Sequence, residues 1–131
     1  MRKDIAIPKV AQVYIAAVQE EHLEYKTMDW NAYIINDSDD DLEMVLVVSK
    51  GYSKAKITPP MRHTIKLLPS RSYAKIEYLQ DKVLELNNEF KISYFIGNNM
   101  YDKTYVFKSN TINSRARQNI PLMNLQGVLR T

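Results

Sequence analysis

The chain of 131 residues is long enough for one domain with its own core, and its 45% hydrophobic, 25% charged and 10% aromatic content excludes a disordered or low-complexity protein. The absence of cysteine removes thiolate catalysis, disulfide frameworks and Cys-based zinc sites, and three glycines are too few for a Gly-rich phosphate-binding fold. The formal net charge of +3 hides an asymmetry: residues 1–43 carry four basic and ten acidic side chains, residues 44–131 fourteen basic and five acidic ones.

In chain order, residues 10–18 are apolar enough to imitate a signal-peptide core. Gln12 interrupts them, and they read as part of the folded domain, which is expected to be cytoplasmic. The β-branched Val10, Val13, Ile15 and Val18 favour a strand over 10–19, while the Ala, Gln and Glu content of 11–24 leaves a helix open over 10–25. Residues 30–35 alternate as a second strand, with Trp30 a natural anchor between two sheets. An acidic turn follows at 36–41. The unbroken apolar run 44–48, far too short to span a bilayer, predicts a central strand covered on both faces. Residues 49–60 form a long connection ending in Pro59 and Pro60. Residues 62–68 and 72–79 alternate on either side of Pro69-Ser70-Arg71 and read as a hairpin. A crossover with a helical turn is expected over 80–88, and two more strands over 90–96 and 101–108 flank the turn Gly97-Asn98-Asn99. The tail is polar to Asn119, and residues 127–129 suggest a last edge strand. Seven or eight short strands with little helix predict a single all-β domain over 1–131, an immunoglobulin- or fibronectin-like antiparallel β-sandwich. A small barrel and a sandwich with an N-terminal helix are the alternatives.

Few residue groups invite chemistry. Asp37, Asp39 and Asp41 have the alternate spacing of a calcium loop, but Leu42 stands where such a loop needs Gly and Val48 where it needs Glu. His22 and His63 lack a third metal ligand, and His63 is expected half-buried on a backbone carbonyl. Glu20, Glu21, Glu85 and Glu89 read as solvated. Nucleophile-elbow, zinc-protease, P-loop and dinucleotide motifs are all missing, so no enzyme, cofactor or metal is expected. The sharpest feature lies between Met44 and Ile76, where seven basic residues occur with no acidic one. Lys54, Lys56, Arg62, Lys66, Arg71 and Lys75 are interleaved with Tyr52 and Tyr73. Cations that neutralise phosphates and rings that stack on bases suit nucleic acid, whereas lysines on an outer hairpin also guard a strand edge. Lys54, Lys56, Arg62, Lys66, Arg71, Tyr73 and Lys75 are therefore the candidate interaction surface. Arg115 and Arg117 add two cations to the tail.

The segments Val13-Tyr14-Ile15-Ala16-Ala17-Val18, Asp29-Trp30-Asn31-Ala32-Tyr33-Ile34-Ile35-Asn36 and Met61-Arg62-His63 carry a resemblance across nearly the full chain. So do the closing Ile120-Pro121-Leu122-Met123 and Gly127-Val128-Leu129. Together they resemble a family of small uncharacterised bacterial β-sandwich proteins, some labelled as the alpha subunit of phenylalanyl-tRNA synthetase. The resemblance implies the fold and brings no site residue with it. A class II synthetase core needs an ATP-gripping arginine motif and a Gly-rich motif, and the isolated Gly51, Gly97 and Gly127 supply neither. The expected function is non-enzymatic macromolecular interaction, with a protein partner favoured and a homodimer left open. RNA or tRNA binding through residues 50–75 is the alternative, and no membrane association is expected.

Overall fold

A computed structural model describes residues 12–131. Nine strands form two antiparallel sheets stacked as a β-sandwich. The strands are β1 (Val13–Glu21), β2 (Met28–Asn36), β3 (Leu42–Tyr52), β4 (Met61–Leu68) and β5 (Ser72–Leu79). After a single helical turn α1 (Asp81–Leu84) come β6 (Asn87–Ile96), β7 (Asn99–Phe107), β8 (Gln118–Ile120) and β9 (Leu125–Arg130). One sheet has the order β5-β2-β1-β9-β8 and the other β4-β3-β6-β7. No helix among the described residues is long and apolar enough to cross a membrane.

The alternation read along the chain becomes the core. Ile15, Ala17, Trp30, Ala32 and Ile34 from one sheet meet Val45, Val47, Phe90, Ile92 and Phe107 from the other. Each strand contributes every second residue because successive side chains point to opposite faces. Phe90 and Phe107 meet edge-to-face, with ring centroids 5.9 Å apart. Tyr105 is drawn into the same core and donates its hydroxyl to the Val13 carbonyl, so its polar end is not left unpaired. Residues 10–25 resolve as strand β1 and a turn, with 10 and 11 outside the described residues. Both faces of β1 are apolar, and both are covered. The outward Ala16 and Val18, with Ile35 of β2, are buried under Ile120 and Met123 from the β8–β9 hairpin. Gly127 permits this docking: a Cβ there would stand 2.5 Å from the Ala17 carbonyl oxygen.

Four expectations need correction. The described residues form nine strands, because the tail supplies both β8 and β9. The segment at 127–129 is not an edge strand, since β9 lies between β1 and the edge strand β8. β3 is central in its sheet but covered on one face only. Leu42, Val45, Val47 and Ser49 are buried, while Leu46 and Val48 lie half-covered under outer-face neighbours such as Arg62, Thr64, Lys91 and Ser93. Finally, β4 and β5 are not a hairpin. β4 pairs with β3 and β5 pairs with β2, so the turn at 69–71 carries the chain from one sheet to the other, with Arg71 at φ 58.

That crossing is held by an extensive polar network. Asn36 is fully buried, and its Nδ2 donates to the carbonyls of Asp40, Leu68 and Pro69 at 2.8, 3.1 and 3.0 Å. Its Oδ1 accepts from the Ser38 amide and hydroxyl. Arg71 donates to Asp37 at 2.8 Å and to Asp39 at 2.6 Å, and Asp41 accepts the Ser70 amide at 2.8 Å. The acidic turn is thus spent on joining two loops at one end of the sandwich. Both partners hold the Arg71 guanidinium above its ordinary pKa by hydrogen bonds, Asp39 more than Asp37.

Candidate interaction site

The basic stretch does not form one surface. Lys54 and Lys56 lie in the β3–β4 connection at one end of the sandwich, and Arg71 is paired with the acidic turn at the other. Arg62 and Lys66 lie on the outer face of the β4-β3-β6-β7 sheet, Arg62 opposite Val48 in register. Tyr73 and Lys75 lie on the outer face of the other sheet, opposite Ile35 and Tyr33. Tyr73 meets Tyr33 edge-on at 6.0 Å. Lys50 and Lys91 also face outward from the first sheet, but both approach Glu89, at 3.8 and 3.9 Å. The shared face that would suit a nucleic acid therefore reduces to Arg62 and Lys66.

His63 is half-buried as expected, but its partner is a carboxylate instead of a backbone carbonyl. Glu77 Oε1 sits 2.8 Å from His63 Nε2 and accepts the Ser49 hydroxyl at 2.6 Å. Serine, histidine and acid are thus brought together in the wrong order for a nucleophile relay. A catalytic triad places the imidazole between hydroxyl and carboxylate so that it can take the proton, and here the carboxylate lies in the middle. The cluster ties the outer strands β4 and β5 across the gap between the two sheets.

A concavity lies elsewhere, on the outer face of the five-stranded sheet at the β1–β2 hairpin. It is a cleft of about 930 Å³. Among the described residues Glu20, Glu21, Glu24, Asp29 and Asp81 supply its carboxylates, and Lys75 is its one lysine. None of these five carboxylates makes an ion pair among the described residues. Glu20 is the best positioned. Its Oε1 accepts the Asn31 amide at 2.9 Å and the Tyr33 hydroxyl at 2.7 Å, while Oε2 has no hydrogen bond among the described residues. Burial, reinforced by the Glu20 bond and charge, holds the Tyr33 phenol well above its ordinary pKa. It stays a donor, and the carboxylate stays fixed.

The rim is apolar and open. Leu23 is 87% and Tyr25 74% exposed, and Met28 and Tyr78 are also exposed. The β1–β2 turn that presents Leu23 and Tyr25 is ordered. The His22 amide donates to the Thr27 carbonyl at 2.7 Å, and the Lys26 amide to the His22 carbonyl at 2.9 Å. His22 Nδ1 accepts the amides of Glu24 and Tyr25, and its ring stacks on Tyr25 at 4.7 Å. An acceptor at Nδ1 requires the neutral tautomer with its proton on Nε2. Among the described residues no three acidic or histidine side chains gather as metal ligands.

Sequence reasoning passed over this site because Glu20 and Glu21 look solvated in a polar run. One signal was present: Leu23 and Tyr25 stand in a turn where small polar residues are usual. The comparisons with known proteins supply no relative: no family model, no curated protein and no solved structure matches the chain.

Proposed function

We propose that this chain is a non-enzymatic, cytoplasmic interaction module whose acidic cleft receives a cationic segment of a protein partner. The observation that carries the reading is Glu20, fixed through one oxygen by Asn31 and Tyr33, while the other has no hydrogen bond among the described residues and can meet a ligand donor. An ammonium or guanidinium group reaching that oxygen forms a charge-assisted hydrogen bond, stronger than a neutral one. The surrounding carboxylates steer the approach, and the exposed Leu23, Tyr25 and Met28 bury the aliphatic stems of lysine or arginine. Binding of RNA through residues 50–75 is the second reading, and the dispersal of those cations over two faces and both ends counts against it.

The test is fluorescence anisotropy with a labelled peptide of alternating arginine and alanine, across a salt series. Binding that weakens with salt and falls roughly tenfold in Glu20→Gln supports the reading, since one hydrogen bond to a charged group contributes about 1.5–3 kcal/mol. A flat titration at low salt overturns it. Transfer RNA run in parallel, against Lys66→Glu and Lys75→Glu, tests the second reading.

A further inference from the structure

We propose that the cleft is filled by a second copy of this chain, which inserts its β3–β4 connection in a reciprocal two-fold dimer. The proposal rests on the cationic reading of the cleft and names the occupant. Residues 53–60 hold Lys54 and Lys56 with no acidic residue. Neither lysine has an ion pair among the described residues. Beside them Ile57 is 72% exposed. This is the complement of the cleft, which offers five carboxylates against one lysine, with exposed apolar side chains at its rim.

The connection is already shaped for insertion. Its base is closed by an isolated bridge between Tyr52 and Ile57. The Ser53 amide donates to the Lys56 carbonyl and the Thr58 amide to the Gly51 carbonyl, both at 2.8 Å. The Gly51 amide donates to the Thr58 hydroxyl at 2.8 Å, and Pro59 and Pro60 stiffen the exit. Little ordering entropy remains to be lost on docking.

Placement favours reciprocity. The register pairs Glu21 with Met28 and Ser49 with Met61, and β5, which pairs with β2, lies beside β4 at the same end. The acidic hairpin and the basic connection therefore share one end of the sandwich but belong to opposite sheets. A two-fold axis at that end sets each connection against the other copy's cleft, so both contacts form together, as an isologous interface requires.

The experiment is sedimentation velocity over a concentration series at low and high salt, with the peptide titration repeated on each variant. The expected result is a dimer that forms with concentration and dissolves in salt. Lys54→Glu with Lys56→Glu should make it monomeric, with an unchanged melting curve and intact peptide binding. Mixing that variant with Glu21→Lys/Glu24→Lys protein, itself monomeric, should restore a salt-sensitive heterodimer. A wild-type monomer at every concentration that still binds the peptide overturns the dimer and leaves the cleft reading standing. A monomer that binds no peptide overturns both. A dimer indifferent to the lysine changes overturns this interface.

Discussion

Two acidic turns of this molecule have opposite fates. Between Asp37 and Asp41 three of the four carboxylates are consumed, because the topology delivers Arg71 and the Ser70 amide to them. Between Glu20 and Asp29 four carboxylates make no ion pair among the described residues, of which Lys75 is the one lysine lining the cleft. Each segment holds four carboxylates. The difference is the crossing strand pair: β4 to β5 spans the sheets at one end and carries a cation in its turn. A carboxylate met by a cation in the folded state becomes part of the scaffold. One that is not stays available, at a cost in like-charge repulsion that a cationic partner would relieve.

The largest expected effect comes from breaking the consumed turn. Asn36→Ala removes a fully buried amide that serves three carbonyls and two donors. Urea unfolding should show a loss of about 2–4 kcal/mol, since buried groups lose their partners together. Peptide affinity at the cleft should not change. A loss of less than roughly 0.5 kcal/mol would mean that this end of the sandwich is not held as described. Arg71→Ala is a milder probe, because the guanidinium is exposed and its pairs are screened by water. Its melting temperature should drop slightly, and less so in salt. Asp37 and Asp39 are released by the same change, so calorimetry with the arginine-alanine peptide should reveal a second, weaker site absent from the wild type. A single-site isotherm in the variant would show that unpaired carboxylates without an apolar rim do not suffice.

Much of the sandwich was legible because its cause is local. Alternation reports one buried face in 90–96 and one half-buried face in 62–66, and Gly97, here at φ 60, reports a turn. Trp30 lies in the core as its size and position imply. What stayed hidden depends on long-range pairing. The interval from Arg62 to Leu79 has the outward signs of a hairpin, and only the partners of each strand reveal that its halves lie in different sheets. The same holds for Lys75, which shares a sequence neighbourhood with Lys66 and the opposite outer face in space. It holds for Glu77 too, whose two partners stand 14 and 28 residues away. Ala16 and Val18 lie on the outer face of β1 yet are buried, because a cover from the tail arrives more than 100 residues later in the chain.

The smallest effect isolates the charge of Glu20 from its shape. Burial raises three tyrosines, Tyr94 to about 12 from an ordinary 10.0, and Tyr33 and Tyr105 further. A phenol that ionises later in the folded than in the unfolded chain keeps its proton in the fold. It therefore contributes stability that is complete below the unfolded value, near 10, and is lost as the pH climbs through the folded value, near 12 for Tyr94. Stability should accordingly fall on the alkaline side over that interval. Among the three, only Tyr33 donates to a carboxylate, so only Tyr33 should respond to Glu20→Gln. Its phenolate should appear at lower pH than in the wild type, while staying above the ordinary range because burial, the larger cause, persists. Ultraviolet difference titration reads this directly, with Asp37→Asn as a control that should leave the curve unmoved. If Glu20→Gln leaves the tyrosine titration unchanged, the carboxylate is not held against Tyr33, and the cleft loses its fixed anchor while the consumed turn keeps its own.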